Sequence, residues 1–160
     1  MTAQHQRLAA YGVCVREEQL LLARWASPDR TRHHWTLPGG KVEHAEDPLD
    51  AVVREVAEET GFEARVERLL GVDSRTGQVG VRRPGRGVMH HVGVFYRVGI
   101  VGGALRNEVN GSTDQARWFP LEQVPELERS VVIDIGLALH RTMPADGHVA
   151  PVPVGGLLRR

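Results

Sequence analysis

The stretch from Pro38 to Phe62 restricts the chain's folding choices more than any other part of its sequence. Pro38-Gly39-Gly40 breaks the preceding segment and forces a sharp turn. Asp47-Pro48 then opens a helix: Asp47 is an N-cap acceptor, Pro48 stands at N1, where a missing N–H loses no helical partner, and Asp50 falls at N3. Gly61 marks its C-terminal stop. Leu49, Val52, Val53 and Val56 recur at i, i+3, i+4 and i+7 and predict a core-facing stripe, with a mostly acidic face opposite.

On either side the sequence alternates between strands and turns. Leu8 to Trp25 reads as a hairpin about Arg16-Glu17-Glu18-Gln19, residues 26–34 as a loop, and Trp35-Thr36-Leu37 as a short strand. Strands are predicted for Ala64–Val72 and Val88–Val101, joined by a Gly/Arg-rich loop from Asp73 to Gly87, and for Ala116–Phe119. A second helix is predicted for Val131–Thr142, with Val131, Ile135, Leu137 and Leu139 apolar and Pro144 beyond its end. The order β-β-β-α-β-β-β-α implies an α/β fold in which a mixed β-sheet is sandwiched between α-helices, an α/β/α arrangement. At 160 residues the chain has one domain's length. That domain is expected to span 1–142, with the Pro/Gly-rich segment 143–160 as a C-terminal tail.

Charge narrows the choice of partner. Lys+Arg number 20 and Asp+Glu 20, so the chain has no net charge and is poorly suited to a nucleic-acid polymer. Any phosphate handling must be local. No apolar run approaches the roughly 20 residues that cross a bilayer, and MTAQHQRLAA has no leader pattern, so no membrane association is expected. The single cysteine, Cys14, lies in an apolar strand without a partner thiol, as in a reducing cytoplasm. Lys41 is the only lysine among the basic residues, which points to GC-rich codon usage rather than to function.

The chemistry lies on the first helix. Glu55, Glu58 and Glu59 stand at i, i+3 and i+4 and crowd their carboxylates onto one stripe, roughly opposite the valines. Like charges at these spacings each destabilise a helix by about 0.2–0.5 kcal/mol. A divalent cation between them would reverse that sign, and Mg²⁺ prefers a few carboxylate oxygens completed by water and phosphates. Arg54 lies beside these acids and can brace them.

The full spacing is Gly40-x5-Glu46-x7-Arg54-Glu55-Val56-x-Glu58-Glu59-x-Gly61-Phe62. It resembles the complete signature of the Nudix (MutT-like) hydrolase family, and Trp35 to Glu43 resembles that family's lead-in. Seven specified residues at fixed offsets arise by chance with a probability on the order of 10⁻⁸ per placement. The resemblance implies hydrolysis of a nucleoside diphosphate linked to another moiety, a nucleotide pyrophosphohydrolase reaction using Mg²⁺ or Mn²⁺. Glu55 and Glu59 correspond to the main metal ligands, Glu58 to a third carboxylate, and Gly39 to the residue whose backbone carbonyl completes the shell. Glu46 corresponds to an acid that organises the loop, and Arg54 to the arginine that holds the glutamates. Gly39 and Gly40 would let the backbone approach the diphosphate, with Lys41 and Trp35 as further substrate contacts.

Members of that family differ in their general base. A signature glutamate is one choice, and the loop Glu108–Asp114 offers Glu108 and Asp114 as others; Asp114 is taken as a candidate catalytic acid. Trp25, Trp35, Tyr96 and Trp118 could stack on a base or fill the core. His33-His34 and His90-His91 lack zinc spacing, although His90 or His91 could face substrate. Arg75, Arg82, Arg83 and Arg86 could meet phosphates, remain solvated or ride on a lid. No proline falls near Thr76–Gln78, where the ADP-ribose hydrolases of the family it resembles usually carry one, and the coenzyme A and NADH subfamily motifs are absent. The expected substrate is therefore a small nucleotide, a (d)NTP or an unassigned diphosphate.

Two other functions fit the same scaffold. One is a non-catalytic nucleotide-binding sensor, although such domains commonly lose signature carboxylates and this chain keeps them all. The other is a prenyl diphosphate isomerase, which would need a reactive cysteine that only Cys14 could provide. The tail could pack on its own domain or on a second copy; a homodimer is the expectation.

Overall fold

The computed structural model describes residues 4–78, 87–151 and 158–159. Its strands are β1 (Gln4–Val13), β2 (Val15–Arg16), β3 (Gln19–Ala26), β4 (His33–Thr36), β5 (Gly39–Lys41), β6 (Phe62–Gln78), β7 (Val88–Gly103), β8 (Thr113–Pro120), β9 (Arg129–Ser130) and β10 (Leu158–Arg159). Helix α1 spans Pro48–Thr60 and α2 spans Val131–Thr142, with a 3-10 turn over Leu121–Glu126.

The strands form two mixed sheets. In the order β5-β1-β7-β6, β1 and β7 are parallel and the other pairs antiparallel. The second sheet runs β10-β9-β4-β3-β2, with β8 also paired to β3 and only β4 and β9 parallel. Helices cover both sides of this layer. Ala10, Leu21, Val52, Val56 and Val98 pack together on the α1 side. Tyr11, Val13, Leu20, Leu22, Phe95 and Ile135 pack on the α2 side. Neighbouring residues of β1 and β3 therefore enter opposite cores, which explains why both strands read as continuous apolar runs rather than as alternations.

Local sequence chemistry sets the boundaries. The hairpin turns at Glu17 and Glu18, both at positive φ (50° and 59°), between the pairs Val15↔Leu20 and Arg16↔Gln19. This is the twist a two-residue hairpin needs. Helix α1 begins where Asp47 accepts from Leu49 N and ends where Gly61, at φ 78°, donates to Ala57 O. Helix α2 is capped by Ser130 and closes at Met143 in the left-handed conformation, ahead of Pro144.

Three expectations need correction. Leu49 is 44% exposed, because the buried stripe of α1 is rotated away from Leu49 and Val53 toward Ala51, Val52, Val56 and Glu59. The acidic stripe is accordingly not wholly opposite the core. Residues 73–78, expected in a loop, continue β6 because β7 pairs with them through Gln78↔Val88. Arg82, Arg83 and Arg86 lie outside the described residues, as do tail residues 152–157. The described tail lies on its own domain: Val72 N donates to Gly147 O at 3.0 Å, and β10 pairs with β9. Among the described residues no helix is long and apolar enough to cross a membrane.

Candidate active site

Strand β5 runs along the edge of the first sheet, paired with β1 through Ala10↔Gly40 and Tyr11↔Gly39, and α1 crosses beside it. The two glycines serve different ends. Gly39 has φ 149°, and a Cβ on it would fall 2.8 Å from Tyr11 Cα. A Cβ on Gly40 would fall 2.6 Å from Glu55 Oε1, so the bare backbone of Gly40 makes room for that carboxylate.

Glu59 is only 3% exposed and accepts from Gly39 N at 2.9 Å through Oε2. Burial raises its pKa well above the usual carboxylate value; the Gly39 N–H opposes this, and the charges of Glu55, Glu108 and Glu58 add to it. Glu55, also largely buried, is shifted up by burial, with Arg54 opposing and Glu58 and Glu108 reinforcing. Glu58 is half exposed.

Arg54 binds the acids together. Its Nε and Nη2 donate to Glu46 at 2.8 and 3.0 Å, and its Nη1 donates to Glu55 at 3.1 Å and Glu58 at 3.2 Å. Nη2 also donates to the Lys41 carbonyl at 3.2 Å, joining the helix to the end of β5. The Arg54 bonds, helped by Glu43 N, hold Glu46 down to about 2. Such a fork uses the planar donor set that distinguishes arginine from lysine.

The loop acids separate. Asp114 receives Arg24 Nε and Nη2 at 2.8 and 3.0 Å and lies 3.3 Å from His33 Nε2. That pairing makes Asp114 a tie between β8, β3 and β4. Glu108 is the loop acid whose charge acts on Glu55 and Glu59, and its Oε2 accepts from Thr113 N and Oγ1.

The aromatic candidates each have neighbours within the domain. Trp35 meets Phe119 edge-on at 4.6 Å, Trp25 stacks on His34 at 4.8 Å, and Trp118 lies between Phe62 and the Arg16 guanidinium. Tyr96 is buried. Lys41 is exposed, with Nζ 3.9 Å from Glu43. Burial pushes the Cys14 thiol up to about 11, so it is no nucleophile near neutral pH and the isomerase reading loses its only cysteine. Tyr11, which the sequence offered only as a strand residue, has its ring against Gly39 and its hydroxyl 3.0 Å from His91 Nε2.

The donor set suits a hard divalent cation. It consists of carboxylate and carbonyl oxygens, and the crowding of Glu55 and Glu58 around Glu59 is only partly offset by Arg54 and the Gly39 N–H. Among the described residues no three His, Cys, Asp or Glu side chains converge on one point. Mg²⁺ does not require that, since it is commonly held by one or two carboxylates, with water and phosphate oxygens completing its shell.

The α/β sandwich, with buried acids gathered at a diglycine strand edge, is the architecture that the signature spacing led us to expect of a Nudix hydrolase. The family model of the NUDIX domain matches residues 5–136, and the chain belongs to that family. It is 32% identical over 123 residues to the ADP-ribose pyrophosphatase of Methanocaldococcus jannaschii, a match covering 77% of this chain and 67% of that protein. It is 35% identical over 115 residues to a MutT-like protein of Streptomyces ambofaciens, covering 72% and 64%. Across the first four curated relatives the chain spans between 42% and 67% of their lengths. In fold it is similar to the E. coli ORF135 protein, with a TM-score of 0.64, 24% identity, and coverage of 89% of this chain and 96% of that one.

Proposed function

We propose that this chain catalyses Mg²⁺-dependent hydrolysis of a nucleoside diphosphate linked to another moiety, with water attacking a diphosphate phosphorus. Mn²⁺ is the alternative ion. The observation that carries this reading is the buried Glu59 carboxylate, with the partly buried Glu55 adding like charge beside it, set against the bare backbone of Gly39 and Gly40. The name of the 32% identical Methanocaldococcus jannaschii relative, ADP-ribose pyrophosphatase, supports a nucleotide diphosphate as substrate.

In this reading Glu55, Glu59 and the Gly39 carbonyl would hold the ion, with the half-exposed Glu58 joining directly or through water. When bound, the ion neutralises phosphoryl charge and lowers the pKa of water. Arg54 and Glu46 are positioning residues: the guanidinium fixes the Glu55 and Glu58 carboxylates, and Glu46 fixes the guanidinium. The diglycine edge would admit the diphosphate close to the backbone, with the exposed Lys41 at the end of the same strand as a further contact. For the proton of the attacking water this reading takes Glu108, held at Oε2 by Thr113, over Asp114, which is engaged by Arg24. Trp35, committed to Phe119, is left as a wall.

The free, buried Cys14 accords with a reducing cytoplasm, and the homodimer belongs to the same proposal, to be read by sedimentation equilibrium. The substrate test is phosphate release, coupled to inorganic pyrophosphatase, from canonical and oxidised (d)NTPs, nucleotide sugars, ADP-ribose and dinucleoside polyphosphates. Release that requires added Mg²⁺ or Mn²⁺ supports the reading. Release unaffected by a chelator contradicts it.

A further inference from the structure

The sheet register sets a line of basic side chains beside the candidate site. Arg7 of β1 is paired with His91 of β7, and His91 with Arg75 of β6. Residues directly opposite on neighbouring strands share a face, so the three side chains form one row across three strands. Two residues along lie Ala9, Gly93 and Asp73, and two further lie Tyr11, Phe95 and Gly71. Each step is roughly 7 Å along the strand.

Gly93 in the middle row makes room for two rings. A Cβ on Gly93 would meet the rings of Phe95 and Tyr11 at 3.1 and 3.2 Å, because both rings lean over that glycine. The lean brings the Tyr11 hydroxyl to His91 Nε2, with the two rings stacked at 6.2 Å. The same tyrosine ring touches Gly39, whose N–H holds Glu59. The basic row and the acidic cluster are thus joined through one buried side chain, and the charges of Arg7, Arg75, Glu59 and Glu55 all act on its hydroxyl.

The row's charge is not fully used within the protein. Arg75 gives Nε to Asp73 at 2.8 Å. Arg7 is exposed and forms no ion pair among the described residues. Glu55, Glu58, Glu59 and Glu108 can receive a substrate phosphate only with a cation between, whereas a phosphate lying farther along the sheet meets guanidinium groups, the donors best shaped for it.

We propose that the Arg7–His91–Arg75 row is a second anion subsite of this active site, holding a phosphate beyond the scissile diphosphate. It thereby favours nucleoside triphosphates and longer polyphosphates over diphosphates whose far side is an uncharged sugar. This rests on the hydrolase reading above and names the substrate class within it. Arg7 and Arg75 supply the charge. His91, kept in place by Tyr11, sets the spacing between them.

The test compares kcat/KM for ATP with that for ADP-ribose, and for GTP with GDP-mannose, in the intact chain and in Arg7→Gln, Arg75→Gln and Asp73→Asn. The triphosphate-to-sugar ratio is expected to fall about tenfold in Arg7→Gln and further in the double arginine variant. It should rise in Asp73→Asn, which releases Arg75 from its counter-charge; this direction of change cannot come from a loss of folding. Ratios within about twofold of the parent in all variants would overturn the subsite and leave the hydrolase reading standing. If the parent turns over no nucleotide at all, the hydrolase reading fails by itself. Calorimetry with inorganic tripolyphosphate on the metal-free chain then decides: binding about tenfold weaker in Arg7→Gln supports the row, and equal binding overturns it.

Discussion

Gly39 and Glu59 are joined by a 2.9 Å hydrogen bond from the glycine N–H to Glu59 Oε2, which ties the buried C-terminal turn of α1 to the β5 edge. The bond fixes a carboxylate in a place where ionisation is unfavourable, since burial and three neighbouring glutamates all favour its protonated form. A site of this kind stores like charge that a cation can relieve. The instability and the proposed function therefore have the same origin.

Glu59→Gln tests that cost directly. The folded-state pKa of Glu59 lies above its ordinary value of 4.5, so the native chain binds more protons than the unfolded chain between the two values. The stability this contributes is complete below the unfolded value and is lost as pH rises through the folded one. Glutamine does not ionise, and its amide oxygen can still accept from Gly39. In chelator, Glu59→Gln should have the higher urea midpoint at pH 8, with the gap closing as pH falls toward 5. A variant less stable than the parent at pH 8 would contradict this.

Gly40→Ala separates packing from chemistry. The new Cβ would fall 2.6 Å from Glu55 Oε1, the free end of a flexible side chain rather than backbone. Folding should survive, with a melting temperature close to the parent's. Moving the carboxylate by about 1 Å should lower turnover about 10²-fold. Equal loss of stability and activity would show instead that the glycine serves the fold.

Arg54→Lys removes a fork that one ammonium cannot replace, because Nε and Nη2 hold Glu46 while Nη1 holds Glu55 and Glu58. Glu46, held down to about 2 in the native chain, should titrate closer to its ordinary value of 4.5 in the variant, as read by carboxyl carbon NMR. Turnover should fall with it. A Glu46 titration that stays near 2 would show that Arg54 is not what holds it.

The two loop acids should part company. Glu108→Gln is expected to lower kcat about 10²-fold or more, the usual contribution of a general base. Asp114→Asn breaks the bond to Arg24 and weakens the tie among β8, β3 and β4, so it should lower the melting temperature while kcat stays within about twofold. The opposite pattern would return Asp114 to the chemistry.

How much could be read from the sequence follows from how local each signal is. Asp47, Pro48 and Gly61 define α1 by chemistry within one turn of each end, and the structure keeps those limits. The rotation of the helix about its own axis is not local. It depends on which side chains β1 and β6 present, and so Leu49 was expected in the core while Glu59, three residues beyond Val56, took a buried place. The length of β6 depends on β7, and nothing in residues 73–78 announces that pairing. Choosing between Glu108 and Asp114 required Arg24, which lies 90 residues away from Asp114 in sequence. The approach of Tyr11 to His91, across 80 residues, was equally invisible.

The central claim is that Glu59, with Glu55, makes this fold a metal-dependent nucleotide hydrolase, and the most direct measurement is phosphate release by the parent chain and by Glu59→Gln with and without Mg²⁺, at matched circular dichroism. The account predicts Mg²⁺-dependent turnover in the parent and its loss in the folded variant. Undiminished turnover in Glu59→Gln, or nucleotide binding without any turnover in the parent, would contradict it.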